Sequence, residues 1–141
     1  MRVLGLDVGD RRIGVALSDE TGLLASPLPT LERVGPRKDL KAIAALVRDR
    51  GAGEIVVGLP YNMDGSVGPQ AEKVRAFAEA LAPVARVPVR YWDERLTTVE
   101  AEQILIERDV SRQRRKGLVD QVAAVLILQS YLDARPAPAT S

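Results

Sequence analysis

Val3-Leu4-Gly5-Leu6-Asp7-Val8-Gly9-Asp10-Arg11-Arg12-Ile13-Gly14-Val15-Ala16-Leu17 is the stretch whose reading decides the fold. Val3, Gly5 and Asp7 alternate with Leu4, Leu6 and Val8, the period-two pattern of a strand with both faces at least partly buried. Gly9-Asp10-Arg11-Arg12 reads as a turn, after which Ile13, Val15 and Leu17 begin the alternation again. A third extended stretch, Leu23 to Leu31, contains Pro27 and Pro29. Proline has no N–H to give to a neighbouring strand, so this stretch belongs at a sheet edge. The opening of the chain therefore predicts an antiparallel meander, with one aspartate set into its first strand.

Beyond the meander the period changes. Leu40, Ile43, Ala44 and Val47 carry helical spacing over Asp39 to Arg50, ended by Gly51. Glu54 to Leu59 is a short apolar strand, followed by a polar loop from Pro60 through Tyr61 and Asn62 to Ser66. Pro69 suits the first position of a helix reaching about Ala82. Val87 to Trp92 is a further strand, and Thr97 with Glu100 forms a capping-box pattern for a helix to about Arg108. A last helix covers roughly Arg114 to Leu132. The order βββ-α-β-α-β-α-α predicts an α/β fold: a mixed sheet with helices on both faces. Sites in such sheets lie at the carboxyl ends of strands, where Asp7 and Glu94 fall.

The chain of 141 residues fits a single domain, expected over 1–133, with Pro136 and Pro138 marking a flexible tail over 134–141. It is 46% hydrophobic and 28% charged, a globular profile, and its apolar stretches are too short to span a membrane. The start reads directly into a strand, not a signal peptide, so a cytoplasmic protein is expected. There is no Cys and no His, which removes a disulfide framework, the commonest general base and the N/S metal ligands. What remains suits hard oxygen-binding cations, Mg²⁺ or Mn²⁺, acting on phosphate esters.

Three carboxylates emerge from apolar surroundings. Asp7 either ligates a cation or caps the Gly9 turn. Glu94, preceded by Asp93, follows the later strand and could instead pair with Arg95. Asp120 shares a helical face with Ala123, Ala124, Ile127 and Tyr131; its alternative is an i, i+4 pair with Lys116. Carboxylates gathered closely repel unless cations neutralise them. The net charge of +1 says little about partners. Its distribution says more: Arg11 and Arg12 follow Asp7, and Arg112, Arg114, Arg115 and Lys116 form a basic run suited either to solvent or to a phosphate backbone. Asn62 heads a loop before a helix whose N-terminal amides could hold a phosphate. Tyr61 could stack on an unpaired base.

GLDVGDRRIGVALSD, VVGLPYNMDGSVGPQAEKVRAFAEAL, DERLTTVEAE and VDQVAAVLILQSYLD, in this order and over most of the chain, resemble the YqgF/RuvX family. The resemblance implies an RNase H-like fold with a five-stranded sheet, related to the RuvC Holliday-junction resolvases. It implies a metal-dependent nuclease with Asp7, Glu94 and Asp120 as catalytic metal ligands. Arg11, Arg12, Asn62, Arg114, Arg115 and Lys116 are the substrate-binding candidates. The RuvC pattern has a second acidic residue one helical turn past the last aspartate, where this chain has Ala123. Asp93 is available as a fourth carboxylate. The expected reaction is 5′-end processing of pre-16S ribosomal RNA, with Holliday-junction resolution on branched DNA as the alternative and non-catalytic nucleic-acid binding in transcription as a third. A monomer or a two-fold dimer suits these readings. The opening also resembles the first phosphate loop of actin-like ATPases and sugar kinases. Those enclose a nucleotide between two such domains, and this chain supplies one.

Overall fold

Strands β1 (Arg2–Val8) and β2 (Arg12–Ser18) form the predicted hairpin, with Leu6 opposite Val15 and Asp7 opposite Gly14. β3 (Ala25–Glu32) pairs antiparallel with β2 and lies at the sheet edge. The chain then builds α1 (Pro36–Arg50), β4 (Ala52–Leu59), α2 (Pro69–Ala85) and β5 (Val89–Asp93), and later α3 (Arg112–Ala134). The computed structural model describes residues 1–94 and 112–135, and of residues 112–120 the backbone without the side chains. The helix expected between Thr97 and Arg108 lies outside the described residues.

The sheet order is β3-β2-β1-β4-β5, with β4 parallel to both β1 and β5. This is the mixed five-stranded sheet expected from the element order. Alternate side chains of the central strands face opposite ways, which divides the core in two. On one face Leu4, Leu6, Val15 and Val57 meet Ile43 and Val47 of α1 and Val74, Phe77 and Leu81 of α2. On the other, Val3, Ala16 and Val56 meet Ala124, Ile127, Leu128 and Leu132 of α3.

Gly5 explains how α3 comes so near. A Cβ there would stand 2.7 Å from the Leu128 Cβ, so only glycine lets the helix lie directly on β1. Polar side chains then fix the helix along its length. Gln121 Nε2 donates to the Leu28 carbonyl at 2.9 Å, and Gln129 both accepts from Ala25 N–H and donates to the Leu23 carbonyl, each at 2.9 Å. Tyr131 donates its hydroxyl to Glu54 at 2.6 Å and meets the edge of Trp92, ring centroids 5.8 Å apart.

The carboxyl end of β1 has a separate anchor. Arg33 donates to the Gly9 carbonyl at 2.9 Å, pairs with the buried Asp39 at 3.1 Å and lies 5.1 Å from the Phe77 ring centre. Burial alone would raise the Asp39 pKa. The Val34 N–H and the Arg33 guanidinium outweigh it and hold this carboxyl below its ordinary value.

Boundaries differ from the expected ones for identifiable reasons. α1 begins at Pro36, not Asp39, because proline is preorganised for a first helical position after Gly35. α2 continues through Pro83 to Ala85, since a proline in the last turn removes one hydrogen bond while Leu81 and Ala85 stay buried. α3 reaches Ala134, and Arg135 packs over the Tyr131 ring and pairs with Glu54 at 3.7 Å. Packed structure thus extends past the expected boundary at 133. Among the described residues, no helix is long and apolar enough to cross a membrane.

Candidate active site

Asp7 stands one residue before the end of β1, and Glu94 immediately follows β5. β4 lies between them. The register aligns Leu6 with Val57 and Gly58 with Trp92, so Gly58 sits at the level of Asp7 on the central strand. A Cβ on Gly58 would collide with Glu94 Oε2 and, at 2.5 Å, with Ile127 Cδ1. The missing side chain is therefore the space through which the Glu94 carboxyl reaches across β4 to hydrogen-bond with Asp7. The Glu94 N–H, donating to the Leu59 carbonyl at 3.2 Å, ties the backbone to the same strand end.

This position changes the chemistry of Glu94. Its residue is only 8% exposed. Burial, then the adjacent Asp7 charge and hydrogen bond, then Asp93, push its carboxyl up to about 9. Without a cation, the pair accommodates its own repulsion by keeping a proton. A hard divalent cation supplies the opposite solution, since it favours ionised oxygen ligands and displaces that proton. The donor set, all oxygen and partly preformed, fits such an ion. Among the described residues, no group of three or more acidic, His or Cys side chains is placed to hold a metal.

The third expected carboxylate, Asp120, lies on α3 one helical turn before Ala124, which packs beside Gly5. Its side chain lies outside the described residues, as do those of Arg114, Arg115 and Lys116. Ala123, three residues after Asp120 on the same helix, is fully buried. Arg11 is exposed in the turn after β1, and Arg12 pairs with Glu32 at 3.2 Å. Asn62 is engaged within its own loop, donating from Nδ2 to Ser66 Oγ at 3.0 Å and from its backbone to the Ser66 carbonyl at 2.9 Å. Asp93 does not share the face of Asp7. It lines an open groove of about 410 Å³ with Tyr61, Gly65, Tyr91 and Trp92. Trp92 is half-buried against the α3 side of the core, and Tyr61 packs against the opposite cluster.

Gly58 is the functional position that the sequence reading passed over. The available signal was a glycine inside an otherwise apolar strand, Val56-Val57-Gly58-Leu59, which marks close approach by another group.

Comparison with known proteins places this geometry among relatives. The family model RuvX, described as Holliday junction resolvase, matches residues 1–134. A protein of Pelotomaculum thermopropionicum, named "Putative pre-16S rRNA nuclease", is 55% identical over 98% of this chain and 90% of its own. One of the same name from Moorella thermoacetica is 56% identical, covering 94% of this chain and 95% of its own. Among solved structures, Thermus thermophilus RuvC in complex with a Holliday junction superposes with TM-score 0.59 at 20% identity, covering 96% of each chain. The fowlpox virus resolvase bound to junction DNA gives 0.60 at 11% identity, covering 95% of this chain and 98% of its own. At such identities these structures establish a shared RNase H-like fold.

Proposed function

The chain belongs to the RuvX family, and we propose that it is a divalent-metal-dependent nuclease that processes the 5′ end of pre-16S ribosomal RNA. The observation that carries this reading is the hydrogen-bonded pair of half-buried Asp7 and buried Glu94 at the carboxyl ends of two strands that flank β4. A purely structural role gives no reason to bury one carboxyl against another across a strand emptied by Gly58. Nucleases and resolvases of the RNase H-like fold generally use divalent metal ions.

Asp7 and Glu94 would hold the ion, joined by Asp120 one turn before Ala124. Bound Mg²⁺ or Mn²⁺ would activate water and stabilise the leaving oxygen of a phosphodiester displacement. The protein's share is to fix the two carboxylates against β4, to exclude water behind them with Ile127, and to release the Glu94 proton on loading. Arg11, beside Asp7 in the hairpin turn, and Arg114, Arg115 and Lys116 on the first turns of α3 are the candidates for holding the phosphate backbone. Arg12 divides its charge with Glu32, and Asn62 would contribute through the shape of its loop.

The description of the family supports a second reading, Holliday-junction resolution. Side-by-side cleavage of a pre-16S 5′-leader RNA and a four-way DNA junction, with Mg²⁺ and with Mn²⁺, decides between them. Cutting of the RNA at a discrete site, lost in Asp7→Asn, is the expected result. Symmetric nicking of the junction alone would transfer the assignment to DNA, and full activity of Asp7→Asn would remove it from this site.

A further inference from the structure

The groove lined by Tyr61, Gly65, Tyr91, Trp92 and Asp93 takes no part in the chemistry described so far. Its volume, about 410 Å³, falls within the roughly 300–1,000 Å³ of small-molecule sites. Tyr91 is 38% exposed at the sheet edge, so part of it is open to a ligand in the groove. Glu79 and Arg75 of α2 both lie within electrostatic reach of Tyr91, and Arg75 also pairs with Glu72 at 3.9 Å. The groove thus combines aromatic surfaces with one carboxylate in its lining.

We propose that this groove is a base-selective subsite that accepts an unpaired guanine of the strand being cut. The inference deepens the nuclease reading and rests on it for the nature of the strand. Aromatic rings offer stacking to any base, so they supply affinity without selection. Asp93 supplies the selection. An ionised carboxylate only accepts hydrogen bonds, and it does so in pairs. The Watson–Crick edge of guanine presents two adjacent donors, N1–H and N2–H, which match it. Adenine turns an N1 lone pair toward the same oxygen, while cytosine and uracil each present donors of only one ring or exocyclic nitrogen there. A carboxylate accepts at about four positions, so Asp93 can take both donors and keep the contacts it has within the protein. The same edge is occupied in a duplex, which restricts the site to unpaired nucleotides. Asp93 directly precedes Glu94, so a base seated there brings its strand to the carboxylate pair.

The test uses the full chain in EDTA, so that binding is read without cleavage. Uridine hexamers carrying one central guanine, adenine or cytosine, or none, are titrated while the fluorescence of Trp92, the single tryptophan of the chain, is followed. The guanine hexamer should bind about tenfold or more tightly than the adenine one. Asp93→Asn should reverse that order, because an amide donates to adenine N1 and accepts from its N6 amino group. Tyr91→Ala should weaken all hexamers about fivefold or more and leave their ratio unchanged. Equal affinities for the four hexamers, or a guanine preference that survives Asp93→Asn, would overturn the proposal. Cleavage of the leader RNA, measured separately with Mg²⁺, keeps the two readings apart. Cutting without guanine preference removes the subsite alone, and guanine-selective binding without cutting removes the nuclease reading instead.

Discussion

A single carboxyl at Glu94 links stability to pH in a direction opposite to most acidic residues. Its folded pKa, about 9, lies above the ordinary 4.5. Below 4.5 both folded and unfolded chains carry the proton, and no penalty exists. As pH rises from 4.5 toward 9 the unfolded chain ionises while the folded one resists, so metal-free stability falls across that window. Asp19, held at about 2 by the Thr21 hydroxyl and the Leu24 and Leu23 N–H groups, acts in the usual sense, its contribution fading only as pH drops below about 4. In EDTA, melting temperature should therefore decline from pH 5 to pH 9, and Glu94→Gln should flatten the decline and melt higher at the alkaline end. Parallel slopes in the two proteins would contradict the buried-pair account. Asp120→Asn gives the companion measurement. Wild type should melt higher when Mn²⁺ is added, through binding to the folded state alone. The variant should gain less and lose cleavage, whereas Lys116→Met should leave the Mn²⁺ gain unchanged. Asp7 was readable from sequence because a charge interrupts an apolar strand. The partnership with Glu94 was not, since it depends on Gly58, and a glycine's purpose is set by what crosses it from another strand.

At the scale of elements, periodicity was enough to identify five strands and the helices now described as α1, α2 and α3. It could not resolve ends such as Pro36 or the passage through Pro83, where local chemistry competes with packing. The close approach of α3 to β1 was foreseeable in outline from Gly5, and its partner Leu128 was not, because the contact joins distant parts of the chain. Gly5→Ala should cost about 1–3 kcal/mol through overpacking, measured by urea unfolding. Gly58→Ala should cost a similar amount, about 1–3 kcal/mol, and in addition abolish the Mn²⁺ gain in melting temperature, because the new Cβ occupies the place of Glu94 Oε2. A Gly58→Ala protein with an intact Mn²⁺ response would disprove that passage across β4. Asp39→Ala leaves Arg33 without its buried acid and should destabilise by about 3 kcal/mol.

Over the whole molecule, a net charge of +1 hides the clustering of basic residues along the sequence at Arg112, Arg114, Arg115 and Lys116. Arg114 and Arg115 stand near the start of α3, toward the end of the sheet that carries Asp7 and Glu94. If both meet phosphates, changing them to Glu should lower the slope of log affinity against log salt by about 1.4–1.8, for single or double strands respectively. An unchanged slope would return the run to solvent. Composition reports how many charges exist and not which helix end carries them; the order of residues places this run at the start of the last helix.

The bonds by which Gln129 and Arg135 hold Ala25, Leu23 and Gly22 join residues 104, 106 and 113 positions apart. A ribosome delivers a chain from its N-terminus at roughly 5–20 residues per second. The meander and its two helices therefore emerge well before α3, with Val3, Ala16 and Val56 still uncovered and the proposed third ligand not yet made. A nascent copy therefore holds Asp7 and Glu94 before it holds the helix that covers Val3, Ala16 and Val56, and the second half of the core closes last.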